Sequence, residues 1–263
     1  SKVINNIEFV PEKDAFQEII YECFSEMDQT LRNHKEVSQQ FYKIRDLLGS
    51  FAGVAGEIGM QFTLNQDLLL ERKTHCKDMG LGGLDYKGYW ESIDTGRIDS
   101  SKLITLPTEE WLEKYQKTHL STWPDYNYVK LHGSLGWLSS PKKAQMVLGT
   151  NKREDIDKEP LLKWYFNLFE QVIYRPSIKV LCIGYGFRDP HINEIFFKAI
   201  EQNDDFELFV ISPESPENFR NRIEEKIWSH VRAYFPFTLN EIFPHVQYPS
   251  HFYSDILKYF PKR

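Results

Sequence analysis

The stretch Val180-Leu-Cys-Ile-Gly-Tyr-Gly-Phe-Arg-Asp-Pro-His-Ile-Asn193 limits the possible folds of this chain more than any other segment. Its apolar run over 178–183 predicts a buried strand, Gly184-Tyr185-Gly186 a tight turn, and Asp189-Pro190 the start of a helix. A turn of this kind brings backbone close to a ligand at the carboxyl end of a strand. Alone, it points only to nucleotide binding.

The rest of the chain supplies a matching alternation. Phe16, Ile19, Ile20, Cys23, Phe24, Met27 and Leu31 recur at steps of three and four, which predicts an amphipathic helix over 12–31. A weaker helical pattern covers about 37–48, with Gly49 as its stop. Residues 58–63 read as a short buried strand ending at the polar turn Asn65-Gln66-Asp67, and Leu68 to Leu70 begin another helix. The segment 72–125 is irregular, with glycines at 80, 82, 83, 88 and 96 and one helix after the N-cap Thr108, and reads as an insertion or small lobe. A strand over 128–131 runs into His132-Gly133, and the polar stretch 141–159 reads as a loop. Pro160 to Tyr174 is apolar almost all round, as in a helix buried on several sides or packed on a partner chain. A helix over 190–202 buries Ile192, Ile195, Phe196, Ala199 and Ile200. A strand over 206–211 ends at Ser212, Ser215-Pro216 opens a helix reaching about His230, and a short helix covers 254–260.

Apolar strands alternating with helices predict an α/β fold: a Rossmann-like, mostly parallel sheet with helices on both faces and a smaller inserted region. Residues 1–263 are expected to form one such domain. Ligands in these folds sit outside the carboxyl ends of the strands. Asn65–Asp67, His132–Ser134, Gly184–Asp189 and Ser212 each follow a strand directly, so four polar clusters are expected to face one crevice.

A net charge of −6 gives no electrostatic reason to bind a polyanion, and direct nucleic-acid binding is not expected. No run of apolar residues is long enough to span a membrane, and no secretory signal is expected. Cys23, Cys76 and Cys182 are widely separated, form no CxxC pair and point to a reducing cytoplasm, with Cys182 as a buried core thiol. The histidines, including His34, His75 and His119, lack metal-ligand spacing, so no metal site and no zinc are expected.

Each polar residue has two readings. His132 is either a hydrogen-bonded histidine at a strand end or a base, since imidazole titrates near neutral pH. Asn65 and Asp67 form either an Asx turn or helix N-cap, or a functional amide and carboxylate at a strand end. Asp189 is a ribose ligand or the N-cap of the helix at Pro190. Ser212 lines an adenine pocket or is an ordinary strand-end serine.

Three segments in order, Phe62-Thr-Leu-Asn-Gln-Asp-Leu-Leu-Leu-Glu71, Val129-Lys-Leu-His-Gly-Ser134 and the Gly184 motif, resemble the sirtuin-like NAD-consuming family of prokaryotic defence proteins. The resemblance spans about 12–212. It implies that His132 is catalytic, with Asn65 and Asp67 positioning water and ribose. It also implies that Gly184, Tyr185, Gly186, Asp189 and Ser212 bind the NAD substrate. Deacylating sirtuins carry a zinc module built from two cysteine pairs, which this chain cannot assemble. The implied activity is therefore hydrolysis of NAD to nicotinamide and ADP-ribose in antiviral abortive defence, with a homo-oligomer or a companion defence protein as partner. A non-catalytic nucleotide-sensing or assembly module, or an ADP-ribosyl transferase or deacylase, is the alternative.

Two positions and one missing element depart from the family pattern. Gln66 stands where an aromatic residue is common, and Gly186 where serine is frequent. The glycine-rich turn that opens such domains has no counterpart before the first helix; the glycines of 52–57 come too late in the chain. The N-terminal strand and glycine loop are therefore expected to be missing upstream of Ser1.

Overall fold

Spacings of three and four wind the N-terminal segment into helix α1 (Val10–Asn33), as its periodicity predicts. The face it covers differs from the expected one. Ser25 and Asp28 are buried, whereas Ile19, Met27 and Cys23 are exposed. Periodicity sets the helix, but the neighbouring chain decides which side is covered. The computed structural model describes residues 10–34, 44, 47–48, 50, 59–73, 79–80, 104–119, 126–138, 144–149, 151–244 and 250–260. Most of the helix expected over 37–48, the glycines of 52–57, His75, Cys76 and most of the 72–125 segment lie outside the described residues.

The chain divides into two compact units, Ser1–Phe166 with Phe260–Arg263, and Asn167–Tyr259. In the first, β1 (Gly59–Thr63) is followed by the short helix α2 (Leu69–Lys73), β2 (Met79–Gly80), β3 (Ile104–Thr105) and helix α3 (Glu109–His119). Thr108 caps α3 by accepting the Trp111 N–H at 3.3 Å. Strands β4 (Tyr126–Lys130), β5 (Gly133–Leu138) and β6 (Ala144–Met146) follow. β4 lies between β1 and β2, parallel to both, while β5 pairs parallel with β3 and antiparallel with β6.

The polar stretch expected as a loop contains a helix, α4 (Lys152–Lys158). Its stability comes from charge placement and one anchor rather than an apolar stripe. Glu154 and Asp155 occupy the first turn and Lys158 the last, which complements the helix dipole. Arg153 pairs with Asp157 at 3.1 Å and lies over the Phe166 ring, and Ile156 is fully buried. Helix α5 (Pro160–Ile173) follows and buries Leu161, Leu162, Tyr165 and Phe166 in the first unit. Trp137 and Tyr165 meet there with ring centroids 6.2 Å apart. Each such side chain contributes about 1.5–3 kcal/mol by leaving water. The division between the units falls within α5.

The second unit carries a parallel sheet in the order β7 (Lys179–Ile183), β8 (Glu207–Ile211), β9 (Val231–Phe235). Helix α6 (Pro190–Gln202) connects β7 to β8 and buries the five residues its spacing predicts. The helix expected from Ser215 to about His230 is broken into α7 (Pro216–Arg222) and α8 (Glu225–Trp228). Ile223 adopts extended backbone between them, and Phe219 and Ile227 on either side of the break are both fully buried. Helix α9 (Leu239–Ile242) starts at a reciprocal Thr238–Glu241 capping box. Ser250 caps the last helix, α10 (His251–Leu257), a few residues earlier than expected. The architecture is mixed α/β with short, mostly parallel sheets, as the alternation predicts. No helix among the described residues is long and apolar enough to cross a membrane.

Candidate functional site

In the first unit the register of β1 and β4 sets the geometry. Thr63 is the partner of Lys130, so Asn65 and His132 each lie two residues beyond the same rung. The Leu131 N–H continues the ladder to the Thr63 carbonyl at 2.9 Å. Gly133 has φ 78°, a left-handed conformation glycine adopts without the steric cost of a side chain. It leads the chain from the His132 turn into β5.

Gln66 lies between the two polar candidates and is buried. Its Nε2 donates to the His132 carbonyl at 3.1 Å and the Val147 carbonyl at 2.7 Å. Its own carbonyl accepts from the Leu135 N–H at 2.8 Å. Asp67 Oδ1 accepts from the Leu69 N–H at 2.9 Å, the Asx-turn geometry that starts α2. Asn65 is exposed, and its N–H donates to Thr63 Oγ1 at 3.1 Å. The His132 residue is only 3 % exposed.

A buried ion pair lies beside these turns. Lys130 Nζ is 2.7 Å from Glu71 Oε1, and both side chains are fully buried. The ammonium also donates to the Asp67 carbonyl and, at 3.4 Å, to the Tyr128 hydroxyl. The Tyr128 hydroxyl in turn donates to Glu71 Oε2 at 3.4 Å. Three acceptors thus meet the three ammonium donors, as a charge held out of water requires.

In the second unit, the carboxyl ends of β7 and β8 carry the glycine turn and Ser212. The Gly184 N–H donates to the Ile211 carbonyl at 2.9 Å, and the Ser212 N–H to the Phe235 carbonyl at 3.1 Å. Gly184 has φ 65°, and a β-carbon there would have no atom within 4 Å, so conformation rather than crowding selects glycine. Phe187 is also left-handed, with φ 51°, and is held by its surroundings. Asn193 Nδ2 donates to the Phe187 carbonyl at 2.9 Å, and the Tyr185 hydroxyl donates to Asn193 Oδ1 at 2.8 Å. The Tyr185 and Phe187 rings pack with centroids 4.5 Å apart. Burial, together with the nearby Asp189 charge, pushes the Tyr185 phenol upward, so it stays a neutral donor. Burial likewise pushes the Cys182 thiol up to about 12, as a core thiol requires.

Asp189 stands at the N-cap of α6, yet its carboxylate makes no capping hydrogen bond. Ser212 Oγ accepts from the Glu214 N–H at 3.4 Å, a turn commonly made by strand-end serines. Arg222 donates to the Gly186 carbonyl and meets Glu214 Oε2 at 2.5 Å. The Arg222 hydrogen bond holds the Glu214 carboxyl below its usual range, with the Arg222 and Arg188 charges adding to it.

The structure therefore brings Asn65, Asp67 and His132 to neighbouring strand ends in one unit, and Gly184, Tyr185, Gly186, Asp189 and Ser212 to neighbouring strand ends in the other. Several contributors escape sequence reasoning. Gln66 reads as a departure from a pattern, yet it joins the two turns. Asn193 falls among the core positions of a helix, and Glu214 and Arg222 look like ordinary surface charges. A polar residue among the apolar positions of α6 is the one cue that singles out Asn193.

Parallel strands ending in a glycine turn, a helix N-terminus and polar turns define an α/β protein with a Rossmann-like fold. Residues 61–231 match the family model of the SIR2-like domain, and the chain belongs to that family. SIR2-like domains are NAD-related and are often NAD-dependent enzymes. No curated protein matches the chain.

Proposed function

We propose that the protein is an NAD glycohydrolase that releases nicotinamide and ADP-ribose, and that it serves as an abortive effector in antiviral defence. The observation that carries this reading is the β1–β4 register, from whose last rung, Thr63–Lys130, Asn65 and His132 each follow by two residues at the carboxyl ends of neighbouring parallel strands. Breaking the C1′–N1 bond sends its electron pair to the pyridinium nitrogen, which leaves as neutral nicotinamide. An oxocarbenium-like centre remains at C1′, and a water oxygen bonds to it from the opposite face. His132 takes the proton that this water loses. Asn65 holds the water or a ribose hydroxyl, and the Asp67 carboxylate favours positive charge at C1′. The Gly184 turn, with Tyr185 and Gly186, takes the nucleotide, Asp189 takes a ribose hydroxyl and Ser212 the adenine end. The protein acts as a homo-oligomer or with a companion defence protein.

Product analysis tests this reading. The expected products from the full-length protein and NAD are nicotinamide and free ADP-ribose in equal amounts. ADP-ribose attached to protein, or removal of an acyl group from a peptide, would instead identify a transferase or deacylase.

Two observations favour a second reading, a non-catalytic nucleotide-sensing module. His132 is almost fully buried, and one Asp67 oxygen already serves its own turn. NAD binding with no turnover by any assembled form supports that reading.

A further inference from the structure

We infer that Gln66 is a positioning residue, whose side-chain amide sets His132 relative to Asn65 and Asp67. The inference rests on the hydrolysis reading above. A glutamine that is 7 % exposed carries a desolvation penalty unless its amide is paired. Here both Nε2 hydrogens are used, and both acceptors are backbone carbonyls. Only the nitrogen can face two carbonyls, so the amide has one workable orientation. One of those carbonyls belongs to His132 itself, and it also accepts from the Val147 N–H at 2.9 Å. Two donors on one oxygen fix the peptide plane next to the imidazole. The Gln66 backbone is fixed in turn by the Leu135 N–H, and its chain neighbours are the other two candidates, Asn65 and Asp67. One side chain thus couples the two turns, whereas an apolar group of similar volume would fill the space and donate nothing. Loss of that coupling changes the separation of groups on which the proposed chemistry depends, and a shift of about 1 Å costs about a hundredfold in rate.

The test compares the full-length wild-type protein with Gln66→Leu and Gln66→Glu. Nicotinamide release and the ring Cε1–H resonances of the histidines are the readouts. For Gln66→Leu the expected result is a ten- to hundredfold fall in kcat with a much smaller change in KM. A displaced His132 resonance is expected too, with those of His230 and His251 unmoved. In Gln66→Glu an ionised carboxylate faces two carbonyls, but its protonated form can donate to one. Activity of that variant relative to wild type therefore rises as the pH falls, and Gln66→Leu shows no such recovery. Wild-type kcat together with an unmoved His132 resonance in Gln66→Leu overturns the inference. If Gln66→Leu does not fold, a flat pH ratio for Gln66→Glu overturns it. A wild-type protein that releases no nicotinamide overturns the hydrolysis reading instead. The coupling is then judged by the His132 resonance, and an unmoved resonance overturns it as well.

Discussion

Thr63 and Lys130 are partners in the parallel register of β1 and β4, and from that rung Asn65 and His132 are reached in the same number of residues. Lys130 then holds the register from within. Its ammonium is bound to Glu71 on α2 and to the carbonyl of Asp67, so strand, turn and helix share one buried charge. This arrangement makes the position of the polar turns a property of the sheet rather than of a loose loop.

Breaking the Lys130–Glu71 pair on one side is expected to be severe. Lys130→Met leaves the Glu71 carboxylate buried without its cation, a loss of about 3–5 kcal/mol. Adding Glu71→Leu should restore much of that loss, because a well-packed apolar pair avoids the desolvation penalty. Denaturant midpoints for both single variants and the double variant check this. Simple addition of the two losses contradicts it.

The two glycines of the 184–186 turn should respond differently. Gly184 has φ 65°, so Gly184→Ala is expected to cost about 1–2 kcal/mol even though space is open around it. A β-carbon on Gly186 would meet the Arg188 side chain at 3.8 Å, an ordinary contact, and its φ is not in the positive region. Gly186→Ala should therefore leave stability within about 0.5 kcal/mol of wild type. Equal losses at both positions would argue against a conformational role for Gly184.

Caps and ligands can be separated at Asp189. Its carboxylate makes no capping bond, whereas Ser215 Oγ accepts the Asn218 N–H at 3.3 Å. Ser215→Ala should cost about 1 kcal/mol and leave NAD affinity alone. Asp189→Ala should cost much less stability but weaken NAD binding. Calorimetric titration with NAD beside thermal melts tests both, and unchanged affinity in Asp189→Ala removes it from the nucleotide set.

Glu159 gives a pH dependence with a definite sign. Burial raises its carboxyl above the ordinary value, and a backbone hydrogen bond from Leu161 only partly offsets this. A raised folded value means that its contribution is fully present below the unfolded value and is lost as the pH rises through the folded one. Glu159→Gln should thus stabilise the protein at neutral pH, with the gain vanishing below about pH 4. A gain that is the same at both pH values contradicts the assignment.

Much of this fold can be read from the sequence wherever one period dominates. The bounds and buried face of α6 follow from its spacing, and Pro190 fixes its start. The helix α4 does not, because charge pairs and the single anchor Ile156 replace a stripe. The break at Ile223 is equally hidden, since the apolar spacing runs through it. At the candidate site, the residues that bear chemistry are visible as polar groups after strands. The roles of Gln66 and Arg222 are not, because each acts through hydrogen bonds to backbone carbonyls far along the chain. Such partners depend on how distant segments meet, and no local pattern encodes them.

The most direct measurement is NAD turnover by the full-length protein with its genomic partners present, compared with His132→Ala. The expected result is release of nicotinamide and ADP-ribose by the wild-type protein and its loss in a folded His132→Ala variant. Turnover that survives the substitution, or none in any assembled form that still binds NAD, contradicts the role given to His132.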